Sequence, residues 1–246
     1  MNNCINCDEE FEGTYCNHCG QKAKIGRITF HYIWHGILHF FTHAEKGFLF
    51  TSGQMLIAPG RTVKNFIDGK RRKYQPPVSY FLIWAGIYIV LLSGIDKWWG
   101  INEVINFGEY FGSEEGSKFF LRSFNFTGIF ALIIPSFYLY IVITRGMYNY
   151  FESLVAMVFA LGTVAFLQVI FIISAVLIYF IVGSSIHFQL SDPLRVLYLA
   201  WFIFDFVKLL PLKGKIIRSV TVFFLMFATF TILKLYVFPW LTGSFR

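Results

Sequence analysis

Apolar residues fill the C-terminal two-thirds of the chain in blocks too long for ordinary soluble helices, and polar positions mark where each block ends. A membrane-crossing helix needs about 20 mostly apolar residues. Five blocks meet or approach that length: 78–95, 124–143, 153–182, 194–210 and 219–238. Pro135 predicts a kink in the second, which neighbouring helices in a bundle can accommodate. The third is long enough to tilt strongly or to extend past the bilayer. The fourth is short and ends at Pro211, and the fifth closes at Pro239 and Trp240. The expected fold class is an all-α integral membrane protein, with about five transmembrane helices in a domain over 78–246.

A different pattern precedes these blocks. Over 28–50, Phe30, Ile33, Trp34, Ile37, Leu38 and Phe41 recur at helical spacing as one apolar stripe. The stripe is too interrupted for a span and predicts an amphipathic helix lying in the membrane interface. His31, His35, His39 and His43 recur every four residues beside it. Neighbours in such a series share a helix face, so a pair could ligate a metal or relay a proton. A four-residue step drifts about 40° against a 3.6-residue turn, so all four cannot meet one ion. A weakly basic polar face at headgroup level is the simpler reading.

Residues 51–77 form a basic juxtamembrane segment carrying Arg61, Lys64, Lys70, Arg71, Arg72 and Lys73, bounded by Pro59 and the Pro76–Pro77 pair. Its plain role is a flank that fixes topology. Its sharper one is a lipid- or partner-facing surface, since each basic residue near an anionic leaflet is worth about 1 kcal/mol.

Composition supports lipid as the solvent. The 246 residues are 56% hydrophobic and 20% aromatic, with 31 Phe and only 14% charged, against about 25% charged in soluble domains. The mean hydropathy is +0.59. The net charge of +7 does not point to nucleic acid, because the basic residues gather beside apolar blocks. With five spans and the N-terminus inside, 15 of the 21 Lys and Arg residues fall on the cytoplasmic side and five outside. That bias follows the positive-inside rule and predicts a cytoplasmic (inner) membrane protein with its C-terminus outside. The first residues lack the basic and apolar regions of a cleavable signal peptide.

Those first residues carry the most specific chemistry. Cys4-x2-Cys7 and Cys16-x2-Cys19 place two knuckles within residues 1–22. In a reducing cytoplasm, paired Cys motifs act as metal ligands rather than disulfides. Four thiolates suit tetrahedral zinc, and the expectation is a zinc-ribbon-like knob held by structural zinc. Gly20 follows the second pair, where a tight turn favours positive φ. An iron–sulfur site and a dithiol redox pair are the competing readings. His18, inside the second knuckle, is expected to be an exposed neighbour. With all four positions filled by protein, none is open for water, so the knob organises or binds rather than catalyses.

The Cys-Ile-Asn-Cys opening, the Gly13–Gln21 run and the His-rich stretch ending in Glu45-Lys46-Gly47-Phe48 are followed by Pro59-Gly60 and Gly69-Lys70-Arg71-Arg72-Lys73-Tyr74. Together they resemble a family of uncharacterised bacterial multi-pass membrane proteins, known only as a domain of unknown function. The likeness lies in residues 1–90, and beyond that in Tyr150-Phe151-Glu152, where many relatives carry His at the position of Ser153. More loosely, the chain resembles five-span Yip1-like proteins. These resemblances imply a fold and a location but no activity.

Ionisable groups at membrane depth are costly and mark candidate functional positions. Glu152 sits at the mouth of the third block, and Asp205 and Lys208 are placed to neutralise each other in the fourth. Lys234, Gln168 and Asn125 have simpler roles in snorkelling or interhelical hydrogen bonding. Two functions of different class fit these observations. One is a non-enzymatic membrane protein that recruits an unknown protein partner or organises lipid through the knob and the basic segment. The other is a transporter or membrane enzyme for a lipid-like or small substrate, using the His series with Glu152 and Asp205.

Overall fold

The structure, a computed structural model, describes residues 2–39, 47–99, 104–106 and 132–232. Its N-terminal module is built from turns. Strand β1 (Asn2–Asn3) pairs antiparallel with β2 (Glu10–Phe11), and a second hairpin closes at a bridge between Tyr15 and Lys22. A linker then leads into α1 (Phe30–His39). The amphipathic stretch expected over 28–50 is helical over this range, and its 40–46 portion lies outside the described residues.

The expected basic segment folds largely as a helical hairpin. Helix α2 (Phe48–Ile57) and α3 (Pro59–Ile67) meet at Ala58, whose φ of −147° and ψ of 65° break the helical path. Pro59 follows from the same requirement: it has no N–H to satisfy and its ring pre-sets the first helical position. Val63 and Phe66 are buried, and Phe66 meets Phe159 edge-on at 5.1 Å. Basic residues on one side and buried apolar residues on the other make α3 a two-faced helix.

Three helices among the described residues are long and apolar enough to cross a membrane: α4 (Pro77–Trp99), α6 (Tyr150–Val182) and α8 (Lys215–Ile232). Helices α4 and α6 run parallel, because Tyr80 meets Phe159 and Thr163 while Trp84, one turn on, meets Phe166. Their approach depends on Gly162, where a Cβ would lie 2.7 Å from the Tyr80 ring. Parallel neighbours require the chain to return between them, and α5 (Leu132–Thr144) brings it back to Asn149, its last turns widened to π-helix from Leu139. Near the far end of α6, Ile186–His187 pairs with Ile105–Asn106 in a short parallel bridge.

Among the described residues three helices, rather than the five expected, are long and apolar enough to cross. Helix α7 (Asp192–Lys208) has 17 residues, about 25 Å at 1.5 Å per residue, short of the roughly 30 Å hydrocarbon core. It also carries Asp192 and Arg195 in its first turn and Asp205 and Lys208 in its last. The 124–143 block is described only from Leu132, and 233–238 of the last block lies outside the described residues, as do Asn125 and Lys234. Helix α6 begins three residues before the expected start because Asn149 and Glu152 form a capping box there. Each accepts a hydrogen bond from the other's backbone N–H at 2.8 Å, satisfying two donors that the first turn leaves open.

Candidate metal centre

The two Cys knuckles are built alike. In each, a backbone N–H four residues on donates to the first cysteine's carbonyl: Asp8 to Cys4 and Gly20 to Cys16, both at 2.8 Å. These two donors are left-handed, with φ of 60° and 72°. The second knuckle uses glycine for that geometry, while the first uses an Asp, one of the few residues that tolerate it.

The four Sγ atoms lie within 4.8 Å of one another. Cys4 and Cys19 are 3.5 Å apart and Cys7 and Cys16 are 3.7 Å apart, far beyond the ~2.05 Å of a disulfide. A tetrahedron of 2.3 Å metal–sulfur bonds has edges of about 3.8 Å, so the sulfur cage fits one tetrahedral ion. The Glu9 N–H lowers the Cys7 thiol, but desolvation and the three neighbouring sulfurs push it up to about 12. A bound cation relieves that crowding of like groups. Cys4 and Cys16 are buried, and Phe11 packs beside them. His18 is exposed, as expected for a neighbour rather than a ligand.

The module is tied to the helices through residues that the sequence placed elsewhere. Arg72 donates from its backbone N–H to Gln21 Oε1 at 3.1 Å and from Nε to the Cys19 carbonyl at 3.3 Å. Arg71 donates to the Gly26 and Phe66 carbonyls and lies 4.9 Å over the Tyr32 ring. Both arginines of the basic run therefore hold protein. Lys73 lies over the Tyr74 ring at 5.4 Å, Lys64 pairs with Asp68, Lys70 is half-buried and Arg61 is exposed.

Arg27 makes the deepest of these ties. Its guanidinium donates to both oxygens of Glu152, at 3.1 and 2.6 Å, and to the Met147 carbonyl at 3.2 Å. Glu152 is almost fully buried, whereas the Arg27 side chain is 62% exposed. The Glu152 hydrogen bonds and charge raise the Arg27 guanidinium above its ordinary range. Beside the pair, Asp68 accepts from the Tyr148 hydroxyl at 3.1 Å. Burial, then the Asp68 charge, raises the Tyr148 phenol. Ile5, Arg27, Asp68, Arg71, Tyr148 and Glu152 line a shallow cavity of about 250 Å³ at this seam.

Asp205 is committed differently from its expected pairing with Lys208. Its Oδ2 accepts the Gly60 N–H at 2.8 Å, so a side chain of α7 caps the buried start of α3. The backbones touch there: a Cβ on Gly60 would lie 2.3 Å from the Phe206 nitrogen. The sequence signal for this contact was the Pro59-Gly60 pair, legible as a turn but not as a helix crossing.

Residues 45–89 match a family model described as Protein of unknown function (DUF3667). The match covers the α2–α3 hairpin and the first half of α4, and leaves out the cysteine module. No curated protein and no solved structure matches the chain.

Of the His series only His31 has a described side chain. His31 is exposed on α1, His35 and His39 are placed in α1 by backbone only, and His43 lies outside the described residues. Among the described residues no histidine lines the Glu152 cavity.

Proposed function

We propose that this chain is a non-enzymatic protein of a bacterial inner membrane, whose zinc-filled N-terminal module recruits a protein partner at the cytoplasmic face. The closed cage of four converging thiols carries the reading, because a site with every position filled by cysteine offers a substrate nowhere to bind. Zinc, bound tetrahedrally at about 2.3 Å from each sulfur, suits the cage. The module is held rigidly on the membrane body by Arg27 and Arg72, while Tyr15, Glu9, Glu10 and Glu12 remain exposed on it. A rigid, partly acidic knob with an exposed aromatic suits docking of a basic protein surface, since Tyr is a favoured interface anchor.

The ten Lys and Arg residues that precede α4 support a cytoplasmic module. The candidate catalytic carboxylates already have partners: Glu152 caps α6 and pairs with Arg27, and Asp205 caps α3. The test is metal analysis of the full chain purified in detergent, with X-ray absorption at the zinc edge. One zinc per chain with four sulfurs at about 2.3 Å is expected. A shell of three sulfurs and one oxygen would overturn the closed-site reading, and absence of stoichiometric zinc would overturn the metal assignment.

A further inference from the structure

The turn between α7 and α8 carries Lys208, Lys213, Lys215 and Arg218 within eleven residues. It lies at the same end of the bundle as the cysteine module: Arg218 donates to the Val142 carbonyl at 2.8 Å, and Arg27 to that of nearby Met147. Here the two helices part into an open groove of about 420 Å³. Trp201, Phe204 and Ile216 form its apolar walls, each at least 40% exposed. Lys208 and Lys215 stand at its mouth.

Within the groove Ser219 is 1% exposed, and its Oγ has no hydrogen-bond partner among the described residues. A buried hydroxyl without a partner is unusual, because serine in a helix commonly turns back to a carbonyl one turn earlier. Lys215 spends one donor on the Lys208 carbonyl at 2.8 Å and keeps two. Asp205 also lines the groove, but it is the one acidic group among the described lining residues and its carboxylate accepts the Gly60 N–H. The local balance stays positive.

We infer that this groove binds one anionic glycerophospholipid, with its phosphate between Lys208 and Lys215 and an acyl chain along Trp201, Phe204 and Ile216. Charge complementarity selects the headgroup. The apolar walls select a lipid over a free anion, and α8, which carries Ile216, is largely uncovered, with only 17% of its apolar window buried among the described residues. The first turn of α8 adds the positive end of its helix dipole at the phosphate level. Ser219 Oγ supplies a hydrogen-bonding group inside the groove for the glycerol-ester region. Basic clefts between helices near a leaflet are a recurrent form of headgroup site.

Native mass spectrometry of the delipidated full chain, titrated with phosphatidylglycerol, phosphatidylcholine or inorganic phosphate, tests the assignment. One phosphatidylglycerol should bind at least tenfold more tightly than phosphatidylcholine. At about fivefold per lysine, K208Q/K215Q should lose about 25-fold in that affinity, whereas the module variant K22Q/K24Q should lose none. K208Q alone, which keeps the Lys215 bond to the backbone, should lose about fivefold and guards against a folding artefact. The assignment fails if both lipids bind equally, if K208Q/K215Q binds as the native chain does, or if inorganic phosphate competes at equal concentration. It also fails if the mass gained is a second copy of this chain.

Discussion

Replacing Gly60 with alanine would put a methyl carbon 2.3 Å from the Phe206 nitrogen, 2.4 Å from the Asp205 carbonyl carbon and 2.5 Å from the Phe206 Cα. All three are backbone atoms of a helix, so no side chain can swing aside. Helices α3 and α7 must separate by about 1 Å, and overpacking of this kind costs about 1–3 kcal/mol. The separation also stretches the 2.8 Å bond from the Gly60 N–H to Asp205, and hydrogen bonds to charged groups contribute about 1.5–3 kcal/mol. The summed loss is about 3–5 kcal/mol, or roughly 10 °C at 2–4 °C per kcal/mol for a chain of this size. Gly53→Ala in α2 and Gly86→Ala in α4 serve as controls, because no described residue lies within 4 Å of either added Cβ. Both should be neutral or stabilising by up to about 1 kcal/mol, as a helical glycine is the weaker former. Thermal unfolding of the three variants in one detergent decides the matter. If Gly60→Ala melts within 2 °C of its controls, a margin of less than about 1 kcal/mol, the close crossing of α3 and α7 is wrong.

Four further outcomes follow from the same contacts. Arg27→Ala should destabilise by about 1–2 kcal/mol, discounted for its exposed guanidinium, and adding Glu152→Gln should recover part of the loss in a double-mutant cycle. Tyr148 is neutral in the folded state above its ordinary pKa of 10, so its contribution is present below pH 10 and lost as pH rises above it. Tyr148→Phe should therefore show a smaller fall in melting temperature than the native chain between pH 10 and 11. Removing metal with a chelator, or substituting Cys4→Ser, should open residues 1–25 to protease and leave the far-UV helical signal unchanged, since structural zinc supplies the folding energy of such modules. Asp205→Asn should weaken the α3 cap by about 1 kcal/mol by removing charge while keeping an acceptor, measured as a lower unfolding midpoint.

Local features were legible and crossings were not. The cysteine spacing located four sulfurs correctly because a CxxC knuckle closes within its own few residues. The start of α4 and the end of α6 lay close to the expected 78 and 182 because apolar length is local, whereas α4 runs on to Trp99 and α6 starts three residues early, at the Asn149–Glu152 cap. Asp205 misled because the i,i+3 spacing to Lys208 is a local signal, whereas its partner Gly60 lies 145 residues away. Glu152 was flagged as a costly buried charge, but its neutralising Arg27 sits 125 residues upstream, in a linker without periodicity. The fourth apolar block was counted as a span on composition, but its helix has only 17 residues and carries ionisable residues in its first and last turns.

The position of the family match gives the Arg–Glu tie and the hairpin a common meaning. Residues 45–89 include neither the cysteines nor Glu152, yet they hold Arg71 and Arg72, which grip the module, and Gly60, which seats the hairpin on α7. Tyr74 is buried with its hydroxyl accepting from Asn65, and the Gln75 N–H donates to Thr51 Oγ1, so the turn after α3 is fastened back onto the hairpin. The matched segment is thus a mechanical connection: one face holds the N-terminal module, and the other enters the helical bundle. Rigid mounting of this kind orients a small metal-held knob that has too few residues to build a core of its own. It also predicts that insertions in the linker 23–27 are worse tolerated than insertions at Gly13, which is left-handed and exposed, with open space among the described residues where a Cβ would point. Adding two glycines at each site and comparing protease protection of the module separates the two cases. Equal protection would mean that Arg72 alone suffices to hold the module and that the Arg27–Glu152 pair does not position it.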